Sequence, residues 1–160
     1  MLRLSPIDPP LLAAFRDSPA ALEAHLGATL GSAADSVGPM LEMTASLYEA
    51  KPRDPRWGGF LAVDEALGSV VGCCGYKDGP AADGSVEIAY GSFPPFEGKG
   101  YATAMAAELV ARAGVQPVIA HTLPERNASC RVLEKCGFSM LRYEPALQRN
   151  HYLVSVPSAA

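Results

Sequence analysis

The sequence predicts an α/β (α+β) domain, a helical N-terminal part followed by strands that alternate with helices. Three observations predict it. The first 56 residues hold Ala/Leu-rich stretches with almost no period-two alternation. From Trp57 onward, short apolar runs are separated by turns rich in Gly, Pro and Asp. Beyond Gly100, helix-spaced and strand-like segments follow one another, the pattern of a sheet covered by helices. At 160 residues and 49% hydrophobic, the chain is sized for one domain with one core.

Element by element, Ser18 before Pro19 supplies an N-cap and a first-turn proline for a helix through Leu22, His25 and Leu26, with Gly27 or Gly31 as its stop. A second helix is expected over Pro39 to Ala50. Gly59 to Val63, Ser69 to Tyr76 and Ser85 to Tyr90, joined by turn-rich 64–68 and 77–84, read as an antiparallel meander. Gly100 to Ala113 places Ala102, Met105, Ala106, Leu109, Val110 and Ala113 on one helix face, with Gly114 as the C-terminal stop. A strand over Pro117 to Thr122, a helix over Ala128 to Cys136, a strand over Gly137 to Tyr143 and a last strand over His151 to Val156 complete the reading.

Composition excludes several functions. The net charge is −4 and no Lys/Arg-rich run occurs, so the footprint of a nucleic-acid binder is missing. No apolar stretch approaches the roughly 20 residues of a membrane span. The start, Met1-Leu2-Arg3-Leu4 running into Pro6, Asp8, Pro9 and Pro10, lacks the layout of a secretory signal, which places the chain in the cytoplasm. Cys73, Cys74, Cys130 and Cys136 have neither CxxC spacing nor clustered histidines; they read as small reduced core residues, and no metal is implied.

The chemistry concentrates between Ser85 and Thr103, where a strand passes through a proline-stiffened turn into a glycine-flanked helix start. The first turn of a helix presents unpaired N–H groups and partial positive charge, which suits a diphosphate. Gly98 and Gly100 leave room for one, Lys99 adds a cation, and Tyr101, Ala102 and Thr103 bring the first amides. A Walker loop is excluded because Lys99 is followed by Gly100 and the upstream glycine is missing. A dinucleotide fingerprint fails because position 103 is threonine.

Glu97-Gly-Lys-Gly-Tyr-Ala resembles the pyrophosphate loop of the GNAT superfamily, Gln/Arg-x-x-Gly-x-Gly/Ala, with Glu97 at the usual Gln or Arg. Leu123-Pro-Glu-Arg-Asn-Ala-Ser-Cys-Arg-Val-Leu-Glu-Lys-Cys-Gly-Phe is similar to the second GNAT signature, as it occurs in the branch of the ribosomal-protein N-terminal acetyltransferases. The likeness spans about Trp57 to Tyr143. It implies a mixed, mostly antiparallel central sheet of six to seven strands with helices on both faces, an acetyl-CoA-binding core over 57–143, and substrate-facing parts in 1–56 and 144–160. It also implies that the central strands part beside Tyr90 to Phe93, pantetheine lying in the opening, and it allows a homodimer.

For the reaction, Glu87 shares a strand face with the small residues Ala89 and Gly91, so a carboxylate there has space to take an amine proton. His121 is a reserve base. Asn127 is a helix N-cap, and the resemblance gives an Asn here a contact with pantetheine, although relatives often carry it where this chain has Arg126. Many relatives use a helix tyrosine to protonate the CoA thiolate; the matching residue is Leu133, and the ribosomal-protein branch points instead to Ser129. A thiol of ordinary pKa about 8.5 needs little help to leave near neutral pH. The expected activity is acetyl transfer from acetyl-CoA to a primary amine, on a protein N-terminus or a small molecule, by direct attack in a ternary complex. A non-catalytic acyl-CoA-binding domain is the alternative.

Overall fold

The computed structural model describes residues 1–114, 116–125 and 127–154. Seven strands, β1 (Leu2–Pro6), β2 (Gly59–Asp64), β3 (Ser69–Tyr76), β4 (Val86–Ser92), β5 (Val118–Thr122), β6 (Ser139–Glu144) and β7 (Arg149–Val154), form one sheet in the order β1-β2-β3-β4-β5-β7-β6. Every neighbouring pair is antiparallel except β4 with β5. The helices are α1 (Pro9–Asp17), α2 (Pro19–Leu26), α3 (Ala34–Ala50), α4 (Tyr101–Ala113) and α5 (Ala128–Lys135). The mixed, mostly antiparallel sheet that the family resemblance implied is therefore present.

Strand parity decides which helices cover which face. On β3, the Gly72 side faces α4: a Cβ there would come within 2.9 Å of Met105 Cε. On the same side, the Tyr76 hydroxyl donates to Leu109 O at 2.5 Å. The Cys73 side faces α3, sharing a cavity with Met40 and Thr44. The core fills both layers, with Leu11, Leu22, Leu41, Leu61, Val71, Met105 and Leu109 fully buried. Trp57 is part of it, edge-on to Tyr76 at 5.0 Å between ring centres, whereas Tyr143 is exposed.

The N-terminal part differs from the sequence reading in three places. Leu2–Pro6 is an edge strand on β2, where Pro6, lacking an N–H, does no harm. Asp8 caps a separate helix, α1, accepting from Leu11 N at 3.0 Å ahead of two prolines in its first turn. α3 begins at Ala34 rather than Pro39, continuing a 3-10 turn over Gly31–Ala33. Pro39 lies inside α3, so the Asp35 carbonyl goes without its helical amide, and because Asp35 is exposed water can serve that carbonyl instead. Of the last expected strand, positions 155 and 156 lie outside the described residues.

Candidate active site

The sheet opens in its middle. β4 pairs with β5 only through Val86 with Val118 and Glu87 with Ile119, after which β5 continues along β7. From Ile88 to Ser92, β4 has a strand neighbour on one side only. The gap lies where the family resemblance implied, and the Tyr90 hydroxyl reaches across it to donate to Ser129 O, 3.3 Å away at the start of α5. Burial pushes the Tyr90 phenol up to about 12, so it stays protonated at neutral pH.

β4 leads into the glycine loop. Phe93 is buried, its N–H donates to Val71 O and its carbonyl accepts from Phe96 N, so it supports the turn from beneath. Gly98 (φ 73°) and Gly100 (φ 86°) lie in the left-handed region, and a Cβ on either would meet no atom within 4 Å. Asp8, Ser18 and Asn127 cap α1, α2 and α5 with side-chain oxygens, but no side chain caps α4. Within α4 the Ala104 amide bonds Gly100 O at 3.1 Å, leaving the Tyr101, Ala102 and Thr103 amides in the unpaired first turn beside exposed Lys99. The Tyr101 ring turns away, donating its hydroxyl to Asp64 Oδ2 at 2.5 Å and packing edge-on to Phe96. That bond, together with the Leu67 and Ala66 amides, outweighs desolvation and holds the Asp64 carboxyl below its usual range. Open space over two left-handed glycines, uncapped amides and a cation fit a diphosphate.

A titratable group lies on the α3 face at the closed end of the gap. Glu87 Oε2 accepts from Lys77 Nζ at 2.6 Å and meets His121 Nδ1 at 2.9 Å. His121 Nε2 lies 3.1 Å from His151 Nδ1, a pairing set by the direct register of His121 on His151. Among the described residues, Glu87 Oε1 has no hydrogen-bond partner. Half-burial raises the Glu87 carboxyl, but the Lys77 and His121 hydrogen bonds outweigh it and leave it below its ordinary range. Desolvation first, then Arg142 and His121, lowers His151. Beside Glu87 is a cavity of about 370 Å³ bounded by Asp78, Ser85 and Ile119; a second, of about 300 Å³, lies between α3 and β3–β4, and Lys77 borders both.

On α5, Asn127 is the N-cap, its Oδ1 accepting from Cys130 N at 3.2 Å. Ser129 is half-buried at the gap and Leu133 fully buried, so the helix offers the gap a serine and no phenol. Arg126 lies outside the described residues. The structure thus brings Glu87 to His121, and Ser129 to the gap, and places Gly98 to Thr103 at one end of β4. Sequence reasoning did not single out three side chains that the structure places here: Lys77, His151 and the Tyr90 phenol. Alternation put Tyr90 on the α4 face of β4, and only the parting of the strands exposes its hydroxyl there. Among the described residues no group of three or more His, Cys, Asp or Glu side chains is arranged to hold a metal ion. No helix among them is long and apolar enough to cross a membrane.

No curated protein sequence matches the chain. Among solved structures, a spermidine N-acetyltransferase SpeG chimera from Vibrio cholerae and hSSAT shares the fold at TM-score 0.63 and 15% identity, over 96% of this chain and 94% of that one. A second SpeG chimera matches at TM-score 0.60 and 16% identity, over 72% of this chain and 75% of that one. A GNAT-family acetyltransferase from Bacillus anthracis matches at TM-score 0.50 and 24% identity, and the chain spans 65% of its length with 61% of its own. Residues 2–139 match the Acetyltransferase (GNAT) domain family. With most of its length inside that match, and a parted sheet leading into an uncapped glycine-flanked helix, the chain belongs to the GNAT acetyltransferases.

Proposed function

We propose that the chain transfers an acetyl group from acetyl-CoA to a primary amine in a ternary complex, without a covalent enzyme intermediate. The observation that carries this reading is the arrangement along β4: a diphosphate cradle at its C-terminal end, an opening beside Tyr90, and an ionised carboxylate with a free oxygen at Glu87. Acetyl-CoA supplies the activated carbonyl. The Tyr101, Ala102 and Thr103 amides with Lys99 hold its diphosphate, and the unpaired edge of β4 faces its pantetheine arm, with Asn127 at the far wall of the gap.

Glu87 Oε1 accepts a hydrogen bond from the incoming ammonium and orients it. The ammonium first gives one proton to Glu87 Oε1, which has His121 hydrogen-bonded behind it and passes the proton to solvent; the freed lone pair forms the bond to the thioester carbon, the carbon–sulfur bond breaks with its electron pair going to sulfur, and the second nitrogen proton replaces the one that a hydroxyl at the Ser129 end gives the thiolate. An α-amine of pKa about 8 loses its proton at pH 7 for roughly 1.4 kcal/mol, and a lysine-like amine for roughly 4.6. A carboxylate held below its usual range is a weak proton store, so the first class suits this site better. The departing thiolate takes its proton at the Ser129 end of the gap, where the Ser129 hydroxyl and the protonated Tyr90 phenol are the two donors. Tyr90 stands there in place of the helix tyrosine that Leu133 replaces.

Two measurements test this. Calorimetry should show micromolar acetyl-CoA binding, and thiol release over a panel of amines should show turnover that falls at least a hundredfold in Glu87→Gln. Binding with no turnover on any amine would leave only an acyl-CoA-binding domain, and no binding would overturn both readings.

A further inference from the structure

The groove between α3 and β3–β4 has a composition that selects among amines. Its walls are Met40, Met43 and Thr44 from α3, Ile7 beyond β1, and Cys73, Ala89 and Gly91 from the sheet. None of its lining residues is acidic, and its one charged side chain, Lys77, is already paired with Glu87. The carboxylates of α3 point elsewhere. Positions 40, 43, 44 and 47 form one stripe of that helix, and Glu42 and Glu49 lie on another, beside Phe15 and Arg16, where Glu49 meets Arg16 at 3.8 Å. The apolar stripe runs out to the rim with Met43 at 62% and Leu47 at 54% exposure. A Cβ on Gly91 would meet no atom within 4 Å, so the floor of the groove is open. At about 300 Å³ the space is at the small end of ligand sites.

We propose that the acceptor is a primary amine on a compact apolar body with no second cationic centre, seated in this groove with its nitrogen at Glu87 Oε1. The inference rests on the acetyltransferase reading. Glu87, Ala89 and Gly91 share one face of β4, so an apolar body beside Ala89 and Gly91 brings its amine towards Glu87. Methionines adapt their shape to such a body. A second ammonium seated against them meets Lys77, the one charged side chain of the lining, which is repulsive. A polycation therefore finds no carboxylate along the groove.

The test uses the whole chain with saturating acetyl-CoA and measures thiol release with three acceptors: 2-phenylethylamine, a short peptide beginning with Met, and spermidine. At least one of the two apolar acceptors should exceed spermidine tenfold or more in kcat/KM, and the ratio between those two shows whether the apolar amine is free or heads a peptide. Met43→Glu, at an exposed helix position, should cut the better apolar acceptor at least tenfold and raise spermidine, with the calorimetric acetyl-CoA affinity unchanged; Met43→Leu should keep the apolar preference. Spermidine equal or preferred in the wild type, no turnover of any of the three while other amines of the panel are acetylated, or a ratio indifferent to Met43→Glu would overturn the groove assignment alone; acetyl-CoA binding with no turnover of any amine would remove the acetyltransferase reading instead. Absence of acetyl-CoA binding would instead remove the acetyltransferase reading beneath it.

Discussion

Replacing Gly100 with alanine separates a structural glycine from a ligand-facing one. At φ 86° an L-residue is strained, which costs about 1–2 kcal/mol. Nothing is added to that by crowding, since the new Cβ would have no neighbour within 4 Å. For a chain of this size the strain lowers Tm by about 2–4 °C for each kcal/mol. The same methyl group stands over the uncapped first turn of α4, where a diphosphate must approach the amides closely, and should raise the Kd for acetyl-CoA tenfold or more, about 1.4 kcal/mol. Gly27→Ala is the matched control. Gly27 caps α2 at φ 64°, also with nothing within 4 Å of its Cβ, and lies on another element. It should lose similar stability and bind acetyl-CoA like the wild type. Thermal unfolding and calorimetry on the three proteins decide the matter: a Kd unchanged in Gly100→Ala, or raised equally in Gly27→Ala, would refute the cradle.

Glu87→Gln should lose at least a hundredfold in kcat with little change in acetyl-CoA affinity. Because the folded carboxyl lies below its ordinary value of 4.5, its contribution to stability is present above that pH and fades as pH falls through the lowered value; the variant's stability should therefore vary less with pH in that acid range, and protonation of Glu87 should set no limb of the rate profile above pH 4.5. Tyr90→Phe and Ser129→Ala divide the thiolate's proton donors: the true donor should lower kcat while leaving Kd for acetyl-CoA unchanged, and an unaltered kcat in both would show that the thiolate leaves without help from either hydroxyl. Gly72→Ala should destabilise by about 1–3 kcal/mol, read as a lower Tm, because its Cβ would lie 2.5 Å from Gly91 O and 2.9 Å from Met105 Cε; a wild-type Tm would show that β3 and α4 are not packed so closely.

Much of the fold was legible because local signals agreed with one another. The apolar spacing of Ala102 to Ala113, bracketed by Gly100 and Gly114, marks α4 without reference to any partner, and the turn-bounded run Ser69 to Tyr76 coincides with β3. Leu2–Pro6 was not legible: five residues ending in proline carry too little periodicity to declare a strand, and the segment becomes one by pairing with β2 across more than fifty residues. The same holds at the site. Gly98, Lys99 and Gly100 are contiguous and announce an anion site, whereas His151 acquires its place beside His121 only from the β5–β7 register, which local pattern does not contain. Lys77 follows the end of β3 and reads as an ordinary turn lysine until the meander folds it onto Glu87.

The two residue pairs that join β4 to β5 explain why these groups converge. Had the parallel pairing continued past Glu87, the backbone edge beside Tyr90 would be consumed by the sheet and the Tyr90 hydroxyl would have no open path to α5. Because β5 instead follows β7, the sheet keeps its closed end at Glu87, where the antiparallel register sets His121 and His151 edge to face, and surrenders hydrogen bonds on one edge over Ile88 to Ser92. Along that edge Ala89 is exposed and Tyr90, Gly91 and Ser92 are half-buried, and a strand edge of accessible, unpaired N–H and C=O groups is a template for a ligand that carries its own amides. Under the proposed function acetyl-CoA is that ligand, and its binding should protect the β4 amides facing the gap from hydrogen exchange while leaving those paired with β3 nearly unchanged. Equal protection on both edges of β4 would mean that the cofactor tightens the whole fold instead of filling the gap.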